Sequence, residues 1–227
     1  MLVGIKHVLF NAIIVSFSFL YGAGLGQWTS APDNLVPYLG QAKFVTPASC
    51  LGGQSSAEIH RVGKTNSQEI KGFRDIDYHE YWNETRPFFY NRALVFFLAE
   101  CKLKFPAIKT STTLPSIEDK KNYYVVRLTN NGKLETRAFK RVSDKKCLNY
   151  HTKHESVNVG LGEPNFSNDL FCLTEKSAPK KNSLGKSDLG APAFTGKQSD
   201  VTVAGIYTAK LKRKKRTIFF FTKVADI

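Results

Sequence analysis

Between Ala209 and Thr217 the chain reads Lys210-Leu211-Lys212-Arg213-Lys214-Lys215-Arg216, six cations in seven positions. Like charges at this density stay in water, so the bland reading is a solvated hairpin tip and the sharper one is a tip that binds anions. A dibasic processing site and a nuclear signal are further readings of the same run. The strand-like stretches Thr202 to Ala209 and Thr217 to Val224 on either side place it at the end of an antiparallel hairpin. A polyanion would bind there chiefly by releasing its condensed counterions. Lys210, Lys212, Arg213, Lys214, Lys215 and Arg216 are therefore the candidate polyanion-binding residues.

Metal chemistry has little to work with. His7, His60, His79, His151 and His154 are scattered, and only the last two stand three residues apart. Cys50, Cys101, Cys147 and Cys172 do not form the closely spaced pairs of a zinc site. No metal and no cofactor is expected.

The elements that must carry these groups read as strands. Lys43 to Pro47, Ala93 to Leu98, Tyr123 to Leu128, Val201 to Tyr207 and Thr217 to Val224 are β-branched or aromatic runs bounded by Gly, Pro, Asn and Lys clusters. Helical periodicity with caps is hard to find after residue 25. Short strands spaced by turns across about 200 residues suggest an antiparallel barrel or sandwich, or two of them in tandem. The stretch 110–121, with Pro115 and a charged cluster, is the linker candidate. With 42% hydrophobic and 12% aromatic residues in 227, the chain is too apolar for disorder and long enough to bury a core. Its 33 Lys and Arg against 19 Asp and Glu give +14, which favours acidic polymers or anionic surfaces as partners and says nothing of fold.

Lys6 and His7 precede the apolar stretch Val8 to Tyr21, which is followed by Gly22, Ala23, Gly24 and Gly26. This is the pattern of a signal peptide over 1–24, cut after Gly24 or Gly26, and it falls short of the about 20 apolar residues of a membrane span. A secreted, extracellular protein follows, with no integral membrane association and no nucleic-acid partner, in a route where disulfides persist. Asn83-Glu84-Thr85 and Asn165-Phe166-Ser167 are glycosylation sequons that fit this route.

Four segments, in order, resemble the chymotrypsin-like (trypsin-type) serine proteases. Ser187-Asp188-Leu189-Gly190-Ala191-Pro192 looks like the Gly-Asp-Ser-Gly-Gly-Pro nucleophile loop, and Val203-Ala204-Gly205-Ile206-Tyr207-Thr208 follows at the right distance. Phe220-Phe221-Thr222-Lys223-Val224 is similar to Val-Tyr-Thr-Lys-Val. Phe44-Val45-Thr46-Pro47-Ala48-Ser49-Cys50 resembles Val-Leu-Thr-Ala-Ala-His-Cys, and Tyr90-Asn91-Arg92-Ala93-Leu94 resembles Asn-Asp-Ile-Ala-Leu. The resemblance implies an all-β fold, a double antiparallel six-stranded β-barrel of chymotrypsin/trypsin type with the C-terminal helix shortened or missing. The protease-like domain would span 25–227, with the first barrel in 25–112 and the second in 122–227.

On this alignment the whole triad is degenerate. Leu189 stands for the nucleophile, Ser49 for the general base and Asn91 for the carboxylate that holds the base's tautomer. Leu has no atom that attacks a carbonyl, and Ser is no base near neutral pH, so no catalytic residue is assigned. The resemblance places Ser183 at the base of the substrate pocket and Phe219 where a Gly keeps its wall open, so the ring would fill the cavity. Leu25-Gly26-Gln27-Trp28 stands where the activating N-terminus usually begins, which leaves Asp188 without its usual ammonium partner. Asp188 is then solvated, paired with a Lys or Arg, or merely a turn residue. The resemblance also implies a disulfide between Cys147 and Cys172, whose loop of about 25 residues would stabilise by roughly 3 kcal/mol. Cys50 is expected as a buried thiol and Cys101 as free or linking two chains.

The function this implies is a secreted serine protease homolog without catalysis, acting as a protein-binding module, cofactor or decoy for an active protease or another extracellular protein. The alternative is a glycosaminoglycan or anionic-surface binder that uses 210–216 on a protease-like scaffold, with a heparin-like polyanion as partner.

Overall fold

The computed structural model describes residues 12–16, 34–40, 42–51, 57–61, 67–70, 73–79, 82, 92–97, 109–110, 123–129, 134–155, 169–176, 183–197, 200–213 and 216–224. In the first half, β1 (Ala12–Ser16), β2 (Asn34–Gly40), β3 (Lys43–Thr46), β4 (Ala57–Arg61), β5 (Ser67–Ile70), β6 (Phe73–Tyr78) and β7 (Ala93–Phe97) form one antiparallel sheet. Its seven strands run in the order β5-β4-β1-β2-β3-β7-β6. The two end strands, β5 and β6, are consecutive in the chain and joined only by Lys71 and Gly72. Three Cα steps of about 3.8 Å cannot exceed about 11 Å, so the sheet curls until the end of β5 and the start of β6 lie within that distance. Where a closed six-stranded first barrel was expected, the first half is a seven-stranded sheet whose two end strands adjoin.

The second half is a closed barrel of β8 (Tyr123–Leu128), β9 (Leu134–Arg141), β10 (Leu170–Glu175), β11 (Pro192–Lys197), β12 (Asp200–Arg213) and β13 (Arg216–Lys223), in the order β10-β13-β12-β11-β8-β9. Alternation decides which side chains enter it. Tyr123 and Val125 of β8, Phe139 of β9, Phe171 and Leu173 of β10, Tyr207 of β12 and Phe219 and Phe221 of β13 make one buried cluster. Phe171 stacks on Phe221 at 5.4 Å between ring centroids, and Phe139 meets Phe219 edge-on at the same distance. Gly205 is obligatory here, because a Cβ would run into the carbonyl oxygen of Thr222 and the Phe171 ring. The alternate residues of β13, Ile218 and Phe220, face outward into a second cluster with Leu170, Cys172 and Ala209. A third cluster joins Val45 and Leu94 of the first half to Val126, Phe194, Val203, Ile206 and Val224 of the second.

One element adds to the expected strands. An α-helix, α1 (Asp144–Glu155), lies between β9 and β10, in a body read as having few helical signals. Few apolar residues mark it: Cys147 and Tyr150 join the outer cluster, and the Cys147–Cys172 disulfide, with Cα atoms 5.6 Å apart, fastens it to β10. Such a helix is stabilised by attachment more than by periodicity. Within 1–24, Ala12–Ser16 pairs with β2 on one side and β4 on the other. Among the described residues no helix follows β13. Within the expected linker, Thr110 makes a parallel bridge to Val203, whose N–H donates to the Lys109 carbonyl at 2.9 Å.

Candidate functional site

Alternation carries charge into one mouth of the second barrel. Arg127 is in phase with Tyr123 and Val125 on β8, Glu135 and Arg137 with Phe139 on β9, and Glu175 with Phe171 and Leu173 on β10. These strands are neighbours, so the four charged groups meet above the aromatic core. Arg127 Nε donates to Glu135 Oε2 at 2.9 Å, Arg137 Nε to Glu135 Oε1 at 3.0 Å, and Arg137 Nη1 to Glu175 Oε1 at 2.9 Å. The ladder is closed at both ends by the loop before β11: Arg127 Nη1 reaches Asp188 Oδ2 at 3.3 Å, and Ser183 Oγ donates to Glu175 Oε2 at 3.2 Å. Burial alone would raise the Glu135 carboxyl, but hydrogen bonds from Arg127 and Arg137 outweigh it and hold it below its ordinary range. Signs alternate along the chain Asp188, Arg127, Glu135, Arg137, Glu175, which is what makes five charges tolerable so near a core.

The nucleophile-like loop is folded onto this ladder. Lys186–Asp188 is a 3-10 turn in which the Asp188 N–H donates to the Gly185 carbonyl at 3.2 Å and the Leu189 N–H to the Lys186 carbonyl at 3.3 Å. Asp188 is 5% exposed and takes the Gly185 N–H on Oδ2 at 2.7 Å as well as Arg127. Of the fates open to it, pairing with an arginine is the one found. Gly190 has φ 85°, a left-handed conformation that suits Gly, and its N–H donates to the Tyr207 carbonyl at 2.8 Å. The amide of Leu189, which the resemblance would put at the nucleophile position, is therefore already committed within its own turn.

The triad positions are only partly in view. Ser49 is exposed in the 3-10 turn Ala48–Cys50 that follows β3. Leu189 is half-buried and packs on the core of the second barrel. Asn91 lies outside the described residues, but Thr46 pairs with Ala93, so the segment before β7 and the turn after β3 share one end of the first sheet. Phe219 is fully buried, edge-on to Phe139 and 6.1 Å from Tyr207 between centroids, so an aromatic ring occupies the position where the resemblance puts an open wall. Across the seam, Arg92 Nη1 donates to the Lys223 carbonyl at 3.1 Å, and His79 Nε2 lies 3.6 Å from Asp169 Oδ1. Asn83, Asn165 and Cys101 lie outside the described residues, and Cys50 is half-buried.

The basic run is split by the structure. Lys210 pairs with Phe219, and its ammonium donates to the Leu184 carbonyl at 2.9 Å, so it serves the loop at the mouth. Beyond it, Lys212 pairs with Thr217 and Arg213 with Arg216, with Lys214 and Lys215 outside the described residues. Arg127, Glu135, Arg137 and Glu175 are the residues that sequence reading misses. Their signal was present as charges in the inward phase of three strands.

No family model matches the chain, and no curated protein does. Among solved structures, the crystal structure of the scabies mite inactivated protease paralogue S-I1 is similar over 97% of this chain and 92% of that one, with a TM-score of 0.62 and 19% sequence identity. At that identity the similarity establishes the chymotrypsin-like fold.

Proposed function

We propose that the protein is a non-catalytic relative of the chymotrypsin-like serine proteases that works by binding an extracellular protein, as cofactor, decoy or adaptor. One observation carries this reading: the amide of Leu189, the residue that the resemblance puts at the nucleophile position, is already bonded to the Lys186 carbonyl in a loop held by the ionic ladder. Leu189 has no atom that attacks a carbonyl, and its amide is engaged where an oxyanion would need it. The similarity to an inactivated protease paralogue supports the same reading, and the Cys147–Cys172 disulfide is compatible with an extracellular setting. Purified protein is expected to turn over no peptide ester and to take no label from a fluorophosphonate probe. The triple variant Leu189→Ser, Ser49→His, Asn91→Asp is expected to remain inactive, because Phe219 and the turned-in amide persist. Ester turnover by the wild type, abolished by a serine-directed inhibitor, would overturn the reading.

A second reading, polyanion binding by the basic hairpin, is favoured by the register of β12 and β13, which continues past the barrel to Arg213 and Arg216.

A further inference from the structure

The loop before β11 is tied down along its whole length. Ser183 donates to Glu175 at its start, and Asp188 accepts from Arg127 near its end. The Gly190 N–H donates to the Tyr207 carbonyl at 2.8 Å and the Ala191 N–H to the Asp188 carbonyl at 3.0 Å. Between these ties Leu184 is wholly buried in the barrel core. Lys186 and Ser187 are the exposed residues of the turn. They stand on a base that has little freedom left to lose when something binds.

β12 and β13 bring two more lysines to this loop. From Lys210 with Phe219 they stay paired through Leu211 with Ile218 and Lys212 with Thr217 to Arg213 with Arg216, as a two-stranded ribbon. Directly opposed residues point to one side, and neighbours along a strand to opposite sides. Phe219 points into the barrel core, so Lys210 and Lys212 lie on the side of the ribbon that continues the core toward the mouth. Leu211 and Ile218 lie on the other side, in the outer cluster. The reach of Lys210 agrees, since its ammonium donates to the Leu184 carbonyl at 2.9 Å. Lys186 follows Leu184 by two residues, which puts its Cα within about 10 Å of that ammonium. The step from Lys210 to Lys212 along the strand is about 7 Å.

Charge at the mouth does not cancel. Glu135, Glu175 and Asp188 are each engaged by Arg127 or Arg137, and Glu135, with 38% of its side chain exposed, has both oxygens taken. Lys186, Lys210 and Lys212 are exposed, and among the described residues none of them is ion-paired. Three carboxylates thus stand against two guanidinium and three ammonium groups, and the surplus positive charge resides on the lysines. We propose that Lys186, Lys210 and Lys212 form a docking point at the mouth of the second barrel for a short acidic segment of a partner protein. The proposal rests on the protein-binding reading and gives the partner its chemistry. Lysines act as point charges that meet a carboxylate from a range of directions. In an extended segment, acidic residues at alternate positions recur about every 7 Å, the same step as Lys210 to Lys212. Unpaired lysines beside a fixed loop would steer such a segment and set the salt dependence of its association.

A fluorescein-labelled peptide of about twelve residues, with Glu at alternate positions, is titrated by fluorescence anisotropy from about 25 to about 300 mM NaCl. Lys186→Gln/Lys210→Gln/Lys212→Gln is expected to bind it about tenfold or more weakly at low salt, with a flatter salt dependence. Lys186→Gln/Lys212→Gln, which keeps the Lys210 bond to Leu184, is expected to lose about 3- to 5-fold, and the triple Arg variant to stay within about twofold of the wild type. These two separate charge from folding of the loop. Lys140→Gln/Lys145→Gln/Lys146→Gln removes the same charge from exposed positions of β9 and α1 and is expected to stay within about twofold. Equal weakening by the two triple Gln variants overturns the docking point, because net charge would then explain the binding. A wild type that does not bind the peptide overturns it as well. An equally charged heparin oligosaccharide that binds more tightly and depends on the same lysines overturns the acidic protein segment as the occupant. The non-catalytic reading survives each of these outcomes and falls on ester turnover instead.

Discussion

Two regions of the second barrel are rich in charge, and they are built on opposite principles. At the mouth, Asp188, Arg127, Glu135, Arg137 and Glu175 alternate in sign and lie within hydrogen-bonding distance of one another beside a dry aromatic core. Along the ribbon, Lys212, Arg213 and Arg216 share one sign with Lys214 and Lys215 between the last two in sequence, and the pair Arg213 with Arg216 lies beyond the other strands of the barrel. Desolvation makes the mouth's charges dependent on their partners, so removing one strands the next. Water screens the ribbon's charges, so removing one changes little in the fold. The difference assigns stability to the mouth, and the proposed anion-binding reading of the ribbon rests on it.

The sharpest way to break this division is Arg127→Met. Arg127 is 13% exposed in its side chain and Asp188 only 3%, so the substitution leaves a buried carboxylate with no counter-charge from β8 and deprives Glu135 of one of its two guanidinium partners. Loss of one member of a buried pair costs about 3–5 kcal/mol, and urea unfolding should show a deficit of that order. Arg127→Met with Asp188→Asn should recover a large part of it, because the stranded charge goes as well. A single-variant deficit under about 1 kcal/mol would mean that water reaches the mouth and that the two regions do not differ in kind.

Acid titration sharpens the comparison at the seam between the halves. Burial first, and the Arg92 charge second, pull His79 down to about 4, a direction that the Asp169 carboxylate, 3.6 Å away at Oδ1, does not reverse. In the unfolded chain the imidazole titrates near its ordinary 6.5. Between pH 6.5 and 4 the unfolded state takes up a proton that the folded state refuses, so stability is full above this window and is lost as pH falls through it. At 1.36 kcal/mol per unit the loss approaches about 3 kcal/mol. His79→Gln should flatten unfolding free energy across that window. It should leave the further decline at more acid pH, as carboxylates such as Glu135, held low by arginines, protonate. A slope unchanged in the variant would place the titrating group elsewhere.

The strands from Lys43, Ala93, Tyr123, Val201 and Thr217 were legible because alternation and β-branching are local. The Cys147–Cys172 bridge was legible through resemblance, since spacing alone does not choose among cysteines. Helix α1 escaped because its hold on the protein is a disulfide and two inward residues, which leaves too faint a periodicity. Ile13-Ile14-Val15 satisfies a leader core and a strand equally, so the pairing of Ala12–Ser16 with β2 and β4 was not legible in it. The need of Asp188 for a partner followed from the loop motif. That the partner is Arg127, 61 residues upstream, depends on barrel closure, which no local pattern encodes.

The smallest expected effect on the fold is the most telling for the ribbon. With Lys212, Arg213, Lys214 and Lys215 changed to Gln, Lys210 still donates to the Leu184 carbonyl and Leu211 still packs in the outer cluster, so the contacts that seat the ribbon are unchanged. What is lost is repulsion, including that between Arg213 and its opposite, Arg216. Unfolding free energy should therefore stay within about 0.5 kcal/mol of the wild type, or rise slightly at low salt, where screening is weakest. Leu211→Ala in the same ribbon keeps every cation but cuts into the outer cluster, and should destabilise more than the four charge changes together. If the charge variant proved the less stable of the two, the ribbon's cations would belong to the fold as those at the mouth do, and the proposed anion-binding reading of this end of the barrel would fall.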